Sequence, residues 1–456
     1  MKFFELAKIL ENDCIEYIGN DTDEFFGVCY DSRNIIKNQL FLCIKGEKVD
    51  GHDFVQKAKD NGAAGIVCEK RLECNFPQIV VKNSVRALQK YAVWHKSQFD
   101  IKTIAITGSV GKTTTKEFIS AVLSEKYMTH KNSGNQNSEI GLPMTILGLS
   151  SEHQAMVLEM GMSDFGEISM LSEIAKPDIS VITNIGFSHI EFLKTQENIL
   201  KAKLEIVDGM KSGSLLIING DDPFLDNAKV RNDIKIVKYG ILNKNCDYFA
   251  KDIILGENST YFTAVTPVGE FFCEIKVQGI HNIYNALSAA ATGVAMNVSS
   301  EKIIDGLKNF QNAVHRQNIY DYNGVTIIDD CYNASPTSVI AAVDVLKTYS
   351  GRKIAVLGDM LELGKFSEEL HEKTGEQFEN IDILFCYGNY AEKYVLGVEK
   401  SGKIARNNCF SYKNTDETAE QLIKTVKKGD IILFKASRSM KAETIIEKLK
   451  VANIKF

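Results

Sequence analysis

Thr103-Ile104-Ala105-Ile106-Thr107-Gly108-Ser109-Val110-Gly111-Lys112-Thr113-Thr114 runs from a short apolar strand through a glycine turn to a lysine and two hydroxyls. A helix-compatible run follows, over residues 114–124. Strand, glycine turn and helix in that order make an anion cradle. Glycines let backbone N–H groups turn towards a phosphate without side-chain clash. The helix amino terminus adds a favourable dipole. Lys112 would neutralise β- and γ-phosphates, and the Thr113 hydroxyl would help hold magnesium. Gly108, Ser109, Val110, Gly111 and Thr114 complete the expected cradle. The match to the strict phosphate-loop pattern is imperfect, because that pattern needs glycine where the chain has Ile106.

Outward from this stretch, further apolar strands follow: Ala155-Met156-Val157-Leu158, Ile179-Ser180-Val181-Ile182 and Leu215-Leu216-Ile217-Ile218. Strands alternating with helices predict a parallel sheet covered on both faces, closed by an alanine-rich helix at 285–296. Before it, β-rich runs at 27–30 and 40–44 alternate with helical stretches at 54–61 and 84–99. After it, strands at 325–328, 354–357, 383–386 and 431–434 alternate with helices. That region reads as a small doubly wound domain, with ligand groups at the carboxyl ends of its strands. The expected class is α/β in three domains, 1–100, 101–313 and 314–456.

Composition narrows the function. With 44% hydrophobic and 25% charged residues the chain has the balance of a soluble globular enzyme. A net charge of −6 argues against coating nucleic acid. Met1-Lys2-Phe3-Phe4-Glu5-Leu6 puts a carboxylate where a signal peptide would begin its apolar core, and no apolar run matches a bilayer. The ten cysteines are dispersed without a Cys-x-x-Cys, which suits a reducing compartment. The expectation is a cytoplasmic monomer without nucleic-acid partners or membrane insertion.

Several polar residues sit where chemistry is plausible. Glu159 follows a strand in the same sheet as the phosphate loop, where a carboxylate binds magnesium directly or through water. A solvated loop glutamate would look the same. His189, in Thr183-Asn184-Ile185-Gly186-Phe187-Ser188-His189, suits a metal ligand, a phosphate contact or a structural histidine. Lys203 lies in Ala202-Lys203-Leu204-Glu205 and by spacing alone is a surface lysine. Asn282 could offer its amide to an adenine edge, or belong to a helix-capping segment with Asn285. Asp330 and Asn333, in Asp329-Asp330-Cys331-Tyr332-Asn333-Ala334-Ser335-Pro336, could reach ribose or phosphate, but the same residues favour turns.

In this order the pieces resemble the Mur ligase family, which builds the peptide stem of bacterial peptidoglycan. Residues 107–114 resemble its shortened phosphate loop, and 184–191 its central histidine motif. His281-Asn282-x-x-Asn285-Ala286 resembles its adenine-side motif, and His315-Arg316 the arginine segment of its carboxy-terminal domain. The resemblance spans essentially the whole chain. It implies an ATP-dependent carboxylate–amine ligase working through an acyl phosphate, with ATP and Mg2+. It also implies a small UDP-sugar domain, a central ATPase-like domain and a Rossmann-like amine-substrate domain.

Four segments resemble the branch that joins D-alanyl-D-alanine to UDP-MurNAc-tripeptide: Asp31-Ser32-Arg33 with Gly51-His52-x-Phe54; 134–143; 330–336; and 356–364. Ser335 stands where many relatives carry asparagine. The Asp-Asn-Pro-Arg of the ligase that adds the third residue is missing. By resemblance, Lys112, His189 and Lys203 are catalytic. The phosphate loop, Asn282, Arg316, Asp330 and Asn333 bind ATP. Asp31, Ser32, Arg33, Asn135, Asn137, Ser437 and Arg438 bind substrates. Thr113 and Glu159 serve one magnesium; His189 and a carbamylated Lys203 serve a second. Lys201 competes with Lys203 by sequence. The remaining readings are the third-residue ligase, a folylpolyglutamate-type ligase and a nucleotide-binding protein without catalysis.

Overall fold

The computed structural model describes residues 1–452, which form three sheets. The strand Lys102–Thr107 lies inside a nine-stranded central sheet, between Ala155–Glu159 and Ile179–Ile182 and parallel to both. Thr129–Lys131 follows beyond Ala155–Glu159. On the other side come Leu215–Asn219, Lys235–Gly240, Tyr248–Leu255, Thr260–Thr266 and Gly269–Ile275. The inner strands read as unbroken apolar runs because both faces are covered. Ile104, Ile106, Val157, Val181 and Ile217 face the helices Lys112–Ser124 and Ile280–Ala295. Ala105, Met156, Leu158, Ile182 and Leu216 pack on the opposite face.

The sheet is longer than the sequence predicts. Lys235–Gly240 and Tyr248–Leu255 add parallel strands, and Thr260–Thr266 and Gly269–Ile275 extend the latter as an antiparallel meander. Their burial alternates, as in Thr260–Thr266, because only one face is packed. They therefore lack the continuous apolar runs that mark the inner strands.

The amino-terminal sheet runs Cys14–Ile18, Gln78–Val81, Gly65–Cys68, Leu40–Leu42, Val28–Cys29, with only the first strand antiparallel. The helix Ser84–Ser97 starts on the Asn83 side chain, which accepts from the Arg86 amide at 2.8 Å. It ties this sheet to the central one: Gln89 donates to the Glu139 carbonyl at 3.2 Å, and the His95 ring lies 3.1 Å from the Leu149 carbonyl.

The third sheet runs Asn318–Tyr322, Val325–Asp329, Ile431–Lys435, Lys353–Gly358, Ile383–Tyr387, Cys409–Tyr412. It is parallel except for the first strand, a hairpin partner not evident from the sequence. The carboxyl ends of Val325–Asp329, Lys353–Gly358 and Ile431–Lys435 carry Asp330, Asp359 and the 435–438 segment. Among the described residues no helix is long and apolar enough to cross a membrane.

Candidate functional site

The phosphate loop is stapled to the neighbouring strand end. Gly108 has φ +149°, and a Cβ there would lie 1.8 Å from Thr183 Oγ1, so only glycine fits. The Ser109 amide donates to the Asn184 carbonyl at 3.0 Å, and the Val110 amide to Asn184 Oδ1 at 3.0 Å. Asn184 Nδ2 and Thr183 Oγ1 both donate to the Val110 carbonyl, at 2.9 and 2.6 Å. Gly111, at φ +86°, opens the helix Lys112–Ser124. Lys112 Nζ donates to the Gly108 carbonyl at 2.8 Å, and burial lowers its pKa while Glu159 pulls the other way.

Thr113 and Glu159 meet at 2.8 Å, hydroxyl to Oε2, and both are buried. Asn137 Nδ2 donates to the other carboxylate oxygen at 2.8 Å, which brings the 134–143 loop to the site. Asn135 is exposed and contributes only its carbonyl to the Asn137 amide. Asn132, which no motif singled out, receives the Glu159 amide on Oδ1 at 2.9 Å and donates to the Glu159 carbonyl at 3.1 Å.

The structure separates the two candidate lysines. Lys201 is exposed, whereas Lys203 is 1% exposed on the inner face of the helix Gln196–Leu204. Burial drives the Lys203 pKa well below the ordinary lysine range, and the charge on Lys112 pushes it the same way. Burial and a neighbouring cation both favour the neutral, nucleophilic form of the amine. This differs from the surface lysine that spacing alone suggests.

His189 has φ +63°, and its Nδ1 lies 2.7 Å from Glu362 Oε2. Glu362 lies within the 356–364 motif, which by itself gives no reason to single it out. Contact with His189 holds its carboxyl below the usual range. Arg316 stacks on Tyr332, 4.0 Å to the ring centroid, and donates to Thr113 Oγ1 at 3.4 Å. Its buried Nε has no partner.

A cavity of about 700 Å3 opens between the central and carboxy-terminal sheets. Val110, Gly111 and Thr114 line one part of it, and Arg316, Asp330 and Lys435 another. Asp330 pairs with Lys435, which also donates to the Asn333 carbonyl at 3.1 Å. The exposed Asn333 side chain accepts from the Ala334 amide. Asn282 lines the wall, but its amide is committed to protein. Nδ2 donates to the Gln278 carbonyl at 2.8 Å and to Gln317 at 3.0 Å, and Oδ1 accepts from Asn285 at 3.1 Å. Both Nδ2 hydrogens are thus bonded within the protein, while Oδ1 keeps a second lone pair.

Other expected residues lie apart from the loop. Arg33 is exposed and forks onto Asp31 at 2.9 and 2.7 Å, holding the Asp31 carboxyl down at about 2. Ser32 is buried and its carbonyl accepts from Asn61 at 2.7 Å. His52 is buried between Asp50 and the Glu69 amide, a structural placement. Buried Ser437 receives the Leu361 amide at 2.9 Å, and exposed Arg438 pairs with Glu443 at 3.2 Å.

Among the described residues no three His, Cys, Asp or Glu side chains gather as a metal cage. The donors present, a hydroxyl and a carboxylate beside an anion-binding loop, suit magnesium. That ion takes one or two carboxylates and keeps waters and phosphate oxygens.

Family profiles match along the chain: "Mur ligase family, catalytic domain" over residues 24–96, "Mur ligase middle domain" over 106–293, and "Mur ligase, glutamate ligase domain" over 315–438. The chain is 39% identical to the UDP-N-acetylmuramoyl-tripeptide–D-alanyl-D-alanine ligase of Bacillus subtilis, over 93% of each chain. It is similar to a crystal structure of MurF from Acinetobacter baumannii, with TM-score 0.90, 32% identity and 98% of each chain covered. It is also similar to the Thermotoga maritima MurF ligase in complex with ADP, with TM-score 0.83, 32% identity, and 93% of this chain and 97% of that one covered. With its phosphate loop, central sheet and carboxy-terminal domain matched in order, this chain belongs to the Mur ligase family.

Proposed function

We infer that this enzyme uses ATP to join D-alanyl-D-alanine to UDP-MurNAc-tripeptide, giving UDP-MurNAc-pentapeptide, ADP and phosphate. The observation that carries the reading is the convergence of Lys112, Thr113, Glu159 and Arg316 at one phosphate loop, beside a cavity shared with the carboxy-terminal domain. Full-length similarity to ligases of that name supports the substrate pair.

The tripeptide carboxylate attacks the γ-phosphorus of ATP, the bond to ADP breaks, and an acyl phosphate forms. Lys112 and Arg316 stabilise charge on the transferring group. The amine of D-alanyl-D-alanine then attacks the acyl carbon; phosphate leaves and the amine proton is released. Domain docking shields the acyl phosphate from water. Magnesium, when bound, neutralises phosphate charge, with Thr113 and Glu159 as one donor pair and His189 and Lys203 as the other. For Lys203 the neutral amine adds to CO2 with loss of a proton, which turns a side chain unsuited to magnesium into an anionic oxygen ligand.

The remaining assignments belong to the same proposal. Gly108 to Thr114, Asp330 and Asn333 contact ATP, with Asn282 shaping the wall. Asp31, Ser32 and Arg33 receive the UDP-sugar end, Asn135 and Asn137 the peptide, and Ser437 and Arg438 the dipeptide. The division 1–100, 101–313 and 314–456 assigns one substrate to each domain. ATP and a UDP-linked substrate, with ten free cysteines, favour a cytoplasmic site. The same reading takes the enzyme as a monomer.

The test is a phosphate-release panel crossing UDP-MurNAc-dipeptide and UDP-MurNAc-tripeptide with D-alanyl-D-alanine, L-lysine and meso-diaminopimelate. Turnover is expected only with tripeptide and D-alanyl-D-alanine. A free diamino acid leaves groups meant for the dipeptide's far carboxylate unpaired. Turnover of the dipeptide precursor with a single diamino acid would move the chain to the third-residue branch.

A further inference from the structure

Two residues with left-handed backbones meet across the domain boundary. His189 has φ +63° on the central domain, and Glu362 has φ +62° on the carboxy-terminal one. Neither is glycine, and such conformations persist in other residues where surrounding structure holds them. Glu362 Oε2 lies 2.7 Å from His189 Nδ1, misaligned for a full hydrogen bond, and that buried nitrogen has no other polar partner. A second strut fixes the approach: the Glu191 amide donates to the Glu362 carbonyl at 3.2 Å. A third lies at Gly364, where a Cβ would sit 2.9 Å from Glu191 Cγ, so the loop seats directly on the helix Ile190–Leu193.

We propose that Glu362 is a positioning residue: it holds the His189 ring from the carboxy-terminal domain, so that the histidine is oriented only when that domain is docked. This rests on the ligase reading above and goes beyond it. A carboxylate on Nδ1–H selects the tautomer that leaves the other ring nitrogen with its lone pair, as outer carboxylates do for liganding histidines. Docking of the amine-substrate domain is thereby coupled to the phosphate end of the site. The coupling uses one side-chain contact and a seated loop.

The test compares Glu362→Ala, Glu362→Gln, His189→Ala and the double variant His189→Ala/Glu362→Ala. Alanine and glutamine carry a similar left-handed penalty to glutamate, so the substitutions alter the carboxylate and spare the backbone. The first readout is Mn2+ binding, followed by the paramagnetic signal of free Mn2+ with a non-hydrolysable ATP analogue and UDP-MurNAc-tripeptide. The second is kcat and KM for each substrate. Glu362→Ala should weaken Mn2+ binding and lower kcat by about 10- to 100-fold, while KM for D-alanyl-D-alanine stays nearly unchanged. Glu362→Gln, whose amide oxygen can still face Nδ1–H, should recover part of both. The double variant should be no worse than His189→Ala. Unchanged Mn2+ binding in Glu362→Ala overturns the proposal. So does a rise confined to KM for D-alanyl-D-alanine, which would make Glu362 an amine-site residue. If wild type turns over none of the panel, the ligase reading fails, and Mn2+ binding still decides the Glu362 contact.

Discussion

Arg316 donates to the Thr113 hydroxyl at 3.4 Å, joining the start of the carboxy-terminal domain to the phosphate loop. Its guanidinium is already oriented by stacking on Tyr332, and its buried Nε is without a partner. A pre-oriented fork with a spare donor beside the loop supports the proposed phosphate contact.

Arg316→Lys should therefore lower kcat/KM for ATP by about 10- to 100-fold, the equivalent of one charged hydrogen bond at about 1.5–3 kcal/mol. Lysine keeps the charge but loses the fork and the stacking. Phosphate-release kinetics with ADP-binding calorimetry measure it, and a wild-type profile for Arg316→Lys would remove the arginine from phosphate binding.

Lys112→Ala should cut ATP turnover on the order of 10³-fold, typical of losing a donor aimed at developing charge. The fold should survive, because the side chain gives up only its bond to the Gly108 carbonyl. Circular dichroism melts check the fold. Near-normal phosphate release by a folded variant contradicts the role of the loop.

Lys203→Ala should be nearly inactive and partly rescued by a small added carboxylate such as formate, whereas Lys201→Ala should keep most activity. The reason is burial: Lys203 is enclosed, which lowers its pKa, and Lys201 is in solvent. Enzyme equilibrated with ¹³C-labelled CO2 should give a carbamate carbon signal that Lys203→Ala lacks. A dead Lys201→Ala beside a normal Lys203→Ala reverses the assignment.

His371 is buried beneath the 356–364 motif; its Nε2 accepts from the Met360 amide at 2.9 Å. Burial lowers its pKa to about 4 from 6.5. Its folded form binds fewer protons than the unfolded chain between those values, so stability is full above pH 6.5 and falls as pH drops towards 4. The loss is about 3 kcal/mol. His371→Gln keeps an acceptor without titrating. Between pH 7 and 4 it should lose about 3 kcal/mol less than wild type in urea melts. Parallel stability curves for the two proteins would show that the ring does not titrate with folding.

The sequence by itself determined the phosphate loop, the inner strands of the central and third sheets, and the family. These are local signals: glycine spacing and apolar runs of strands covered on both faces. The edge strands from Tyr248 to Ile275 escaped because a half-buried strand mixes charge with apolar residues. Only the tertiary structure decided which of Lys201 and Lys203 is enclosed, since both sit on one polar-looking helix and the sheet beneath selects the face. It alone showed the Asn282 Nδ2 bonded to Gln278 and Gln317. The pairings of Arg316 with Thr113 and Glu362 with His189 are likewise tertiary, because they join domains whose separation along the chain carries no trace of their meeting in space.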